Sequence, residues 1–152
     1  MLDFTFAEAV ATIILICLCV PVVYFELRRN TIPNAITYPG ILAGFLIAVL
    51  LRRHDLLNYF AAFLLAFGVF YVFHLLGWIG GGDVKLMAMI GLLMGMPFLL
   101  RALVYISLAG GIAAAAVAAY RLLRRMPLRG VTIPYGTAIV AGTYFCILER
   151  ML

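Results

Sequence analysis

The sequence predicts an all-α fold: a polytopic helical bundle embedded in a membrane, with about six transmembrane helices. Three observations predict it. Of 152 residues, 67% are hydrophobic and only 11% are charged, where a soluble domain carries about 25% charged residues, and the mean hydropathy is +1.19. Apolar runs alternate with short polar breaks, and at about 20 residues per bilayer crossing six of them use nearly the whole chain. Ten of the eleven cations are arginines, gathered mostly at the ends of the runs, which is the pattern of membrane topology rather than of nucleic-acid binding.

Read between charges, the runs fall at 5–25, 35–51, 56–78, 86–100, 101–120 and 131–148, a single membrane-embedded domain over 1–152. The first lies beside Asp3 and Glu8, which replace the cationic start of a secretory signal. No small-residue cleavage site follows, so this run is expected to stay in the mature protein. Pro33 with Asn34 breaks the chain and caps the second helix. Asp55, with Arg52 and Arg53 nearby, starts the third. The fourth run is short, but Gly95 and Pro97 make a turn before Arg101, so it is expected to span. Glu149 beside Arg150 ends the last. The pairs Gly40/Gly44 and Gly91/Gly95 have the small-xxx-small spacing that lets helices approach closely. Cys17, Cys19 and Cys146 sit inside apolar runs without the paired spacing of a zinc site or disulfide framework, and are expected to pack in the core. His54 and His74 read as structural. Neither a metal nor a nucleotide site is legible, and no cofactor is expected.

Counting cations in alternate connections orients the bundle. Arg28, Arg29, Lys85, Arg121, Arg124, Arg125 and Arg129 fall on one side, against Arg52, Arg53, Arg101 and Arg150 on the other. The excess predicts cytoplasmic first, third and fifth connections, an N-terminus outside, and a multi-pass protein of the inner (cytoplasmic) membrane. If the fourth run did not span, the arginines from 121 to 129 would change faces, and the orientation would flip or become ambiguous.

The chain has six carboxylates. Asp3, Glu8, Asp55 and Glu149 read as solvated membrane-edge residues. Glu26 and Asp83 differ, because both lie at span ends on the expected cytoplasmic side. Asp83 follows Gly80, Gly81 and Gly82 and precedes an apolar run, which also suits a helix N-cap. Glu26 could be a surface partner of Arg29 or Asn30, although a carboxylate near a helix C-terminus opposes the macrodipole. The functional alternative is a carboxylate pair that activates water. Two close carboxyls cannot both ionise cheaply, so one keeps a proton while the other acts as base. The three glycines would then allow positive φ and close approach of an extended substrate backbone, or else form only a flexible connection.

Gly80-Gly81-Gly82-Asp83-Val84-Lys85 resembles the G-x-G-D-x-K signature of type IV prepilin peptidases, membrane-embedded aspartic proteases that remove the leader of pilin-like precursors. Glu26-Leu27-Arg28-Arg29-Asn30-Thr31-Ile32-Pro33-Asn34 is similar to that family's first catalytic segment, an Asp-Leu-Arg followed by Ile-Pro-Asn. Ile133-Pro134-Tyr135-Gly136-Thr137-Ala138-Ile139 resembles a further segment near the start of the last helix. The three occur in the family's order and cover nearly the whole chain.

The resemblance implies that Asp83 is one catalytic acid and that Glu26 stands where the other, an aspartate, is expected. It implies substrate-binding roles for Gly80, Gly81, Gly82, Lys85 and Tyr135, although Lys85 also suits a snorkelling membrane-edge cation and Tyr135 an interfacial aromatic. It implies a prepilin-like precursor and the lipid bilayer as partners, and no nucleic acid. The chain lacks a C-x-x-C pair and room for the region that accompanies N-methylation in larger members. It therefore resembles the short, peptidase-only branch found with tight-adherence pilus systems, and methyl transfer is not expected. Glu26 keeps a second reading open, a relative that binds or positions precursors without cutting them. A small-solute carrier is a third, disfavoured because both carboxylates lie near span ends. On the resemblance alone, Glu26→Asp is expected to cleave as well as the parent or better.

Overall fold

A computed structural model describes residues 6–125 and 135–152. Asp3, Arg129, Gly130, Ile133 and Pro134 lie outside the described residues. Six α-helices and a short 3-10 turn, with no strand, make up the described residues: α1 Phe6–Arg29, α2 Asn34–Leu51, the turn Arg53–Asp55, α3 Leu56–Leu75, α4 Gly81–Met94, α5 Met96–Leu123 and α6 Tyr135–Met151. Four stretches are long and apolar enough to cross a membrane: Phe6–Arg29, Asn34–Leu51, Arg53–Leu75 and Met96–Leu123. Their outward faces carry large apolar side chains, among them Leu42, Phe45, Leu64, Val104 and Leu108. So broad an apolar surface is a liability in water and the expected surface in lipid.

The centre of the bundle is α4. It has only 14 residues, about 21 Å at 1.5 Å per residue, shorter than a hydrocarbon core of about 30 Å. Every residue from 86 to 94 is buried. A helix apolar on all sides has no water-facing stripe and belongs in the interior, and α4 packs against α1, α2, α3, α5 and α6. Its ends meet polar partners contributed by its neighbours. Arg52, just past α2, donates through Nη1 to the Leu93 carbonyl (2.7 Å) and through Nη2 to the Ala7 carbonyl of α1 (2.8 Å). One guanidinium thus satisfies a carbonyl at the C-terminus of α4 and ties that end to α1.

The fourth run, expected to span at 86–100, forms the short helix α4, which is not among the stretches long and apolar enough to cross a membrane, and its limits differ from those expected. The break comes at Gly95, whose φ of 80° is one that L side chains rarely adopt. A new helix starts at once with Met96 and Pro97, because proline suits a first helical turn, where no N–H partner is needed. The Asn58 side chain accepts the Met96 N–H (3.1 Å). Residues 96–100 therefore belong to α5.

Three of the four paired glycines are packing devices. A Cβ at Gly40 would run into Met89 and Leu18, one at Gly44 would meet Leu92 at 3.1 Å, and one at Gly91 would lie 2.7 Å from the Ala62 carbonyl oxygen. Gly95 instead makes the turn. A Cβ at Gly142 would strike the Ile106 backbone, so α5 and α6 also approach backbone to backbone. Cys19 and Cys146 are buried, whereas Cys17 is exposed on α1 and does not pack in the core.

Charges separate between the two ends of the bundle. At one end lie Arg52 and the ion pair of Glu8 with Arg150, which joins α1 to α6. At the other lie Glu26, Asn34, Asp83 and Lys85.

Candidate functional site

At the second of these ends α1, α4 and α6 converge, and each contributes to one polar cluster. Glu26 sits in the last turn of α1 and is 5% exposed, although Leu27, Arg28 and Arg29 after it are exposed. It is the carboxylate that the α1 amphipathic pattern turns inward. Its Oε1 accepts the Gly136 N–H (2.6 Å) and its Oε2 accepts the Thr137 hydroxyl (2.6 Å). Both donors stand in the first turn of α6, where N–H groups have no intrahelical partner and the dipole favours an anion. This removes the conflict between a carboxylate and the C-terminal end of its own helix: α6 supplies the compensation. Glu26 is not a surface partner of Arg29 or Asn30.

Asp83 is 7% exposed. It is not the N-cap of α4; that position belongs to Gly80. Asp83 stands three residues in and reaches back, its Oδ2 accepting the Gly80 N–H (3.0 Å), the return half of a capping box whose other half a glycine cannot supply. Its Oδ1 is buried without a hydrogen-bond partner. Burial pushes the Asp83 carboxyl up to about 6; the Gly80 N–H opposes the shift and the nearby Glu26 charge adds to it. This carboxyl lies at the rim of the bundle, ahead of the apolar part of α4.

Glu26 and Asp83 line one cleft of about 210 Å³, together with Asn30, Thr31, Ile32, Gly80, Gly81 and Gly82. Ile32 is its wedge: a Cβ at Gly82 would lie 2.8 Å from Ile32 Cβ, and one at Gly136 would lie 2.8 Å from Ile32 Cδ1. The need for glycine at 82 and 136 is therefore steric. The expected positive φ is not found at Gly80, Gly81 or Gly82; among the described glycines it occurs at Gly77 and Gly95.

The other expected site residues stand apart from the cleft lining. Lys85 donates to the Asn34 side chain (2.7 Å) and lies over the Tyr38 ring at 5.0 Å, clamping the start of α2 to α4. Asn34 is consequently the acceptor of a lysine rather than a cap. Tyr135 is 40% exposed, next to the two donors that hold Glu26. His74, on the far side of the glycine run, contacts the Ile79 carbonyl through Nδ1 (3.0 Å). Sequence reasoning missed Ile32 and Thr137 as individual contributors. Both lie inside motif-like segments, but hydroxyl and alkyl groups carry no chemical signal until their partners are known.

Chemically, the arrangement offers one carboxylate whose two oxygens both accept hydrogen bonds and one carboxyl able to hold a proton just below neutral pH. Both line a small cleft beside Gly80, which is exposed, and Gly81 and Gly82, which are half-buried. Two carboxyl groups held in one cleft can share a proton.

Comparison with known proteins places the chain. Residues 13–115 match the Type IV leader peptidase family. A protein named prepilin leader peptidase/N-methyltransferase from Bacillus subtilis (strain 168) is 34% identical over 146 residues, covering 93% of this chain. The chain spans 56% of the length of that relative. No solved structure matches. With the match over most of its length and the three motif-bearing segments meeting at one end of a helical bundle, this chain belongs to the type IV leader peptidase family.

Proposed function

We propose that this protein is an aspartic-type endopeptidase that removes the leader of type IV prepilin-like precursors at the cytoplasmic membrane surface, with Glu26 and Asp83 as its catalytic pair. The observation that carries this reading is the shared cleft: two buried carboxyl groups from different helices line one cavity. Asp83, raised by burial to about 6, holds the proton that the pair shares. Glu26 accepts from the attacking water, and the proton on Asp83 goes to the scissile carbonyl as the tetrahedral intermediate forms. Gly80, Gly81 and Gly82 offer a strip of backbone without side chains along which the precursor lies extended. Lys85 and Tyr135, outside the cleft lining, contact the precursor away from the reacting bond. The excess of basic residues expected at this end supports a cytoplasmic location for the cleft and an N-terminus outside, where a membrane-inserted precursor would present its leader junction.

A second reading, a relative that positions precursors without cutting them, draws on the two oxygens of Glu26, both already engaged by α6. Incubating the purified protein in detergent or lipid with prepilin precursors, and following loss of the leader, separates the two. Cleavage that disappears in both Glu26→Gln and Asp83→Asn is the expected result. Unchanged cleavage in both variants removes these residues from the chemistry.

A further inference from the structure

We propose that Thr137 is a positioning residue matched to the acid at position 26. Its hydroxyl, with the Gly136 N–H, holds the carboxylate at the cleft, so that glutamate and not aspartate is the acid this scaffold is built to use. The inference rests on the reading of Glu26 and Asp83 as the catalytic pair and adds to it a residue that the motifs do not single out.

Three features of the geometry support it. First, each oxygen of Glu26 has its own donor at 2.6 Å, Gly136 N–H on Oε1 and Thr137 Oγ1 on Oε2, so two adjacent residues of one helix fix the plane as well as the position of the carboxylate. Second, the fit is close. A Cβ at Gly136 would lie 2.9 Å from both carboxylate oxygens and 2.8 Å from Ile32 Cδ1, so the start of α6 packs directly on the Glu26 carboxylate and on Ile32, and the site has no room for a side chain at 136. Third, length decides which acid reaches. An aspartate at 26 would end one carbon–carbon bond sooner, about 1.5 Å, which would open contacts of 2.6 Å to roughly 4 Å, outside hydrogen-bonding range. With α6 held where it packs in this fold, the shorter acid would lose both donors. This reverses the expectation drawn from the family segment, that aspartate at 26 would serve as well as glutamate or better.

The test compares the full chain with Thr137→Val, Thr137→Ser, Glu26→Asp, the double variant Glu26→Asp/Thr137→Val and Asp83→Asn, using a type IV prepilin precursor as substrate. Thr137→Val, which keeps the shape and removes the hydroxyl, is expected to lower kcat about tenfold or more while KM stays within about twofold, since it misplaces a reacting group without touching the precursor. Thr137→Ser restores the donor and recovers most of the loss. Glu26→Asp loses activity to a similar degree, and the double variant is no worse than the poorer single one, because both remove the same contact. Thr137→Val cleaving like the parent, or Glu26→Asp cleaving better than it, overturns the inference. Cleavage by Asp83→Asn at the parent rate defeats the catalytic pair itself, whatever Thr137 does. No cleavage by either the parent or Glu26→Asp overturns both.

Discussion

Replacing Asp83 by asparagine is expected to stabilise the protein at neutral pH while abolishing cleavage, and the size of the effect follows from the burial of one carboxyl. Asp83 is 7% exposed and its Oδ1 has no partner. Burial raises it from 3.8 to about 6. At about 1.36 kcal/mol per pKa unit, this is a cost of roughly 3 kcal/mol for holding the charged form in the fold. The sign is set by the folded value lying above the unfolded one. The native state binds the extra proton between the two, so the favourable contribution is complete below about 3.8 and is lost as pH rises through about 6. Asparagine is neutral throughout and can still accept the Gly80 N–H. Asp83→Asn should therefore match the parent at pH 4 and exceed it by up to about 3 kcal/mol at pH 7.5. The assay is thermal or denaturant unfolding in detergent at the two pH values, beside precursor cleavage. A variant no more stable than the parent at pH 7.5, or one with the same advantage at both pH values, would refute the argument that buried charge on Asp83 is held against its solvation preference.

Cleavage itself is expected to decline as pH rises through about 6, because the singly protonated pair is lost when Asp83 gives up its proton, and a kcat/KM profile on a precursor measures it. Gly91→Ala should destabilise the bundle by about 1–3 kcal/mol through overpacking, since its Cβ would sit 2.7 Å from the Ala62 carbonyl oxygen, whereas Gly68→Ala on α3, where nothing lies within 4 Å, should be neutral or mildly stabilising; unfolding in detergent compares the two. Cysteines placed at Asn30 and Asp55, with the native cysteines replaced, should be labelled from opposite sides of the membrane, because α2 separates them; labelling from one side would contradict α2 as a crossing helix.

Length, hydropathy and the placement of charges were enough to read a helical membrane bundle, because a chain that must satisfy its backbone in lipid has few choices other than helices. The separation of charges between the two ends was also legible, since arginines remain at run ends whichever helices pack together. The motif-like segments pointed to Glu26 and Asp83 one at a time. What the tertiary structure decided was everything that depends on a partner distant in the chain. Residue 137 meets residue 26 only because α6 returns beside α1, and no periodicity encodes that. The limits of α4 were misread for a related reason: a helix walled on every side by other helices need not match the bilayer, so the length rule for lipid-exposed spans did not govern it. The glycines after Ile79 looked like conformational hinges, but Gly82 is glycine for lack of space beside Ile32, a constraint that exists only once α4 is packed against the loop before α2. Local composition sets which segments are helices and which ends are polar. Packing sets which polar groups touch, and with them which acid reaches which donor.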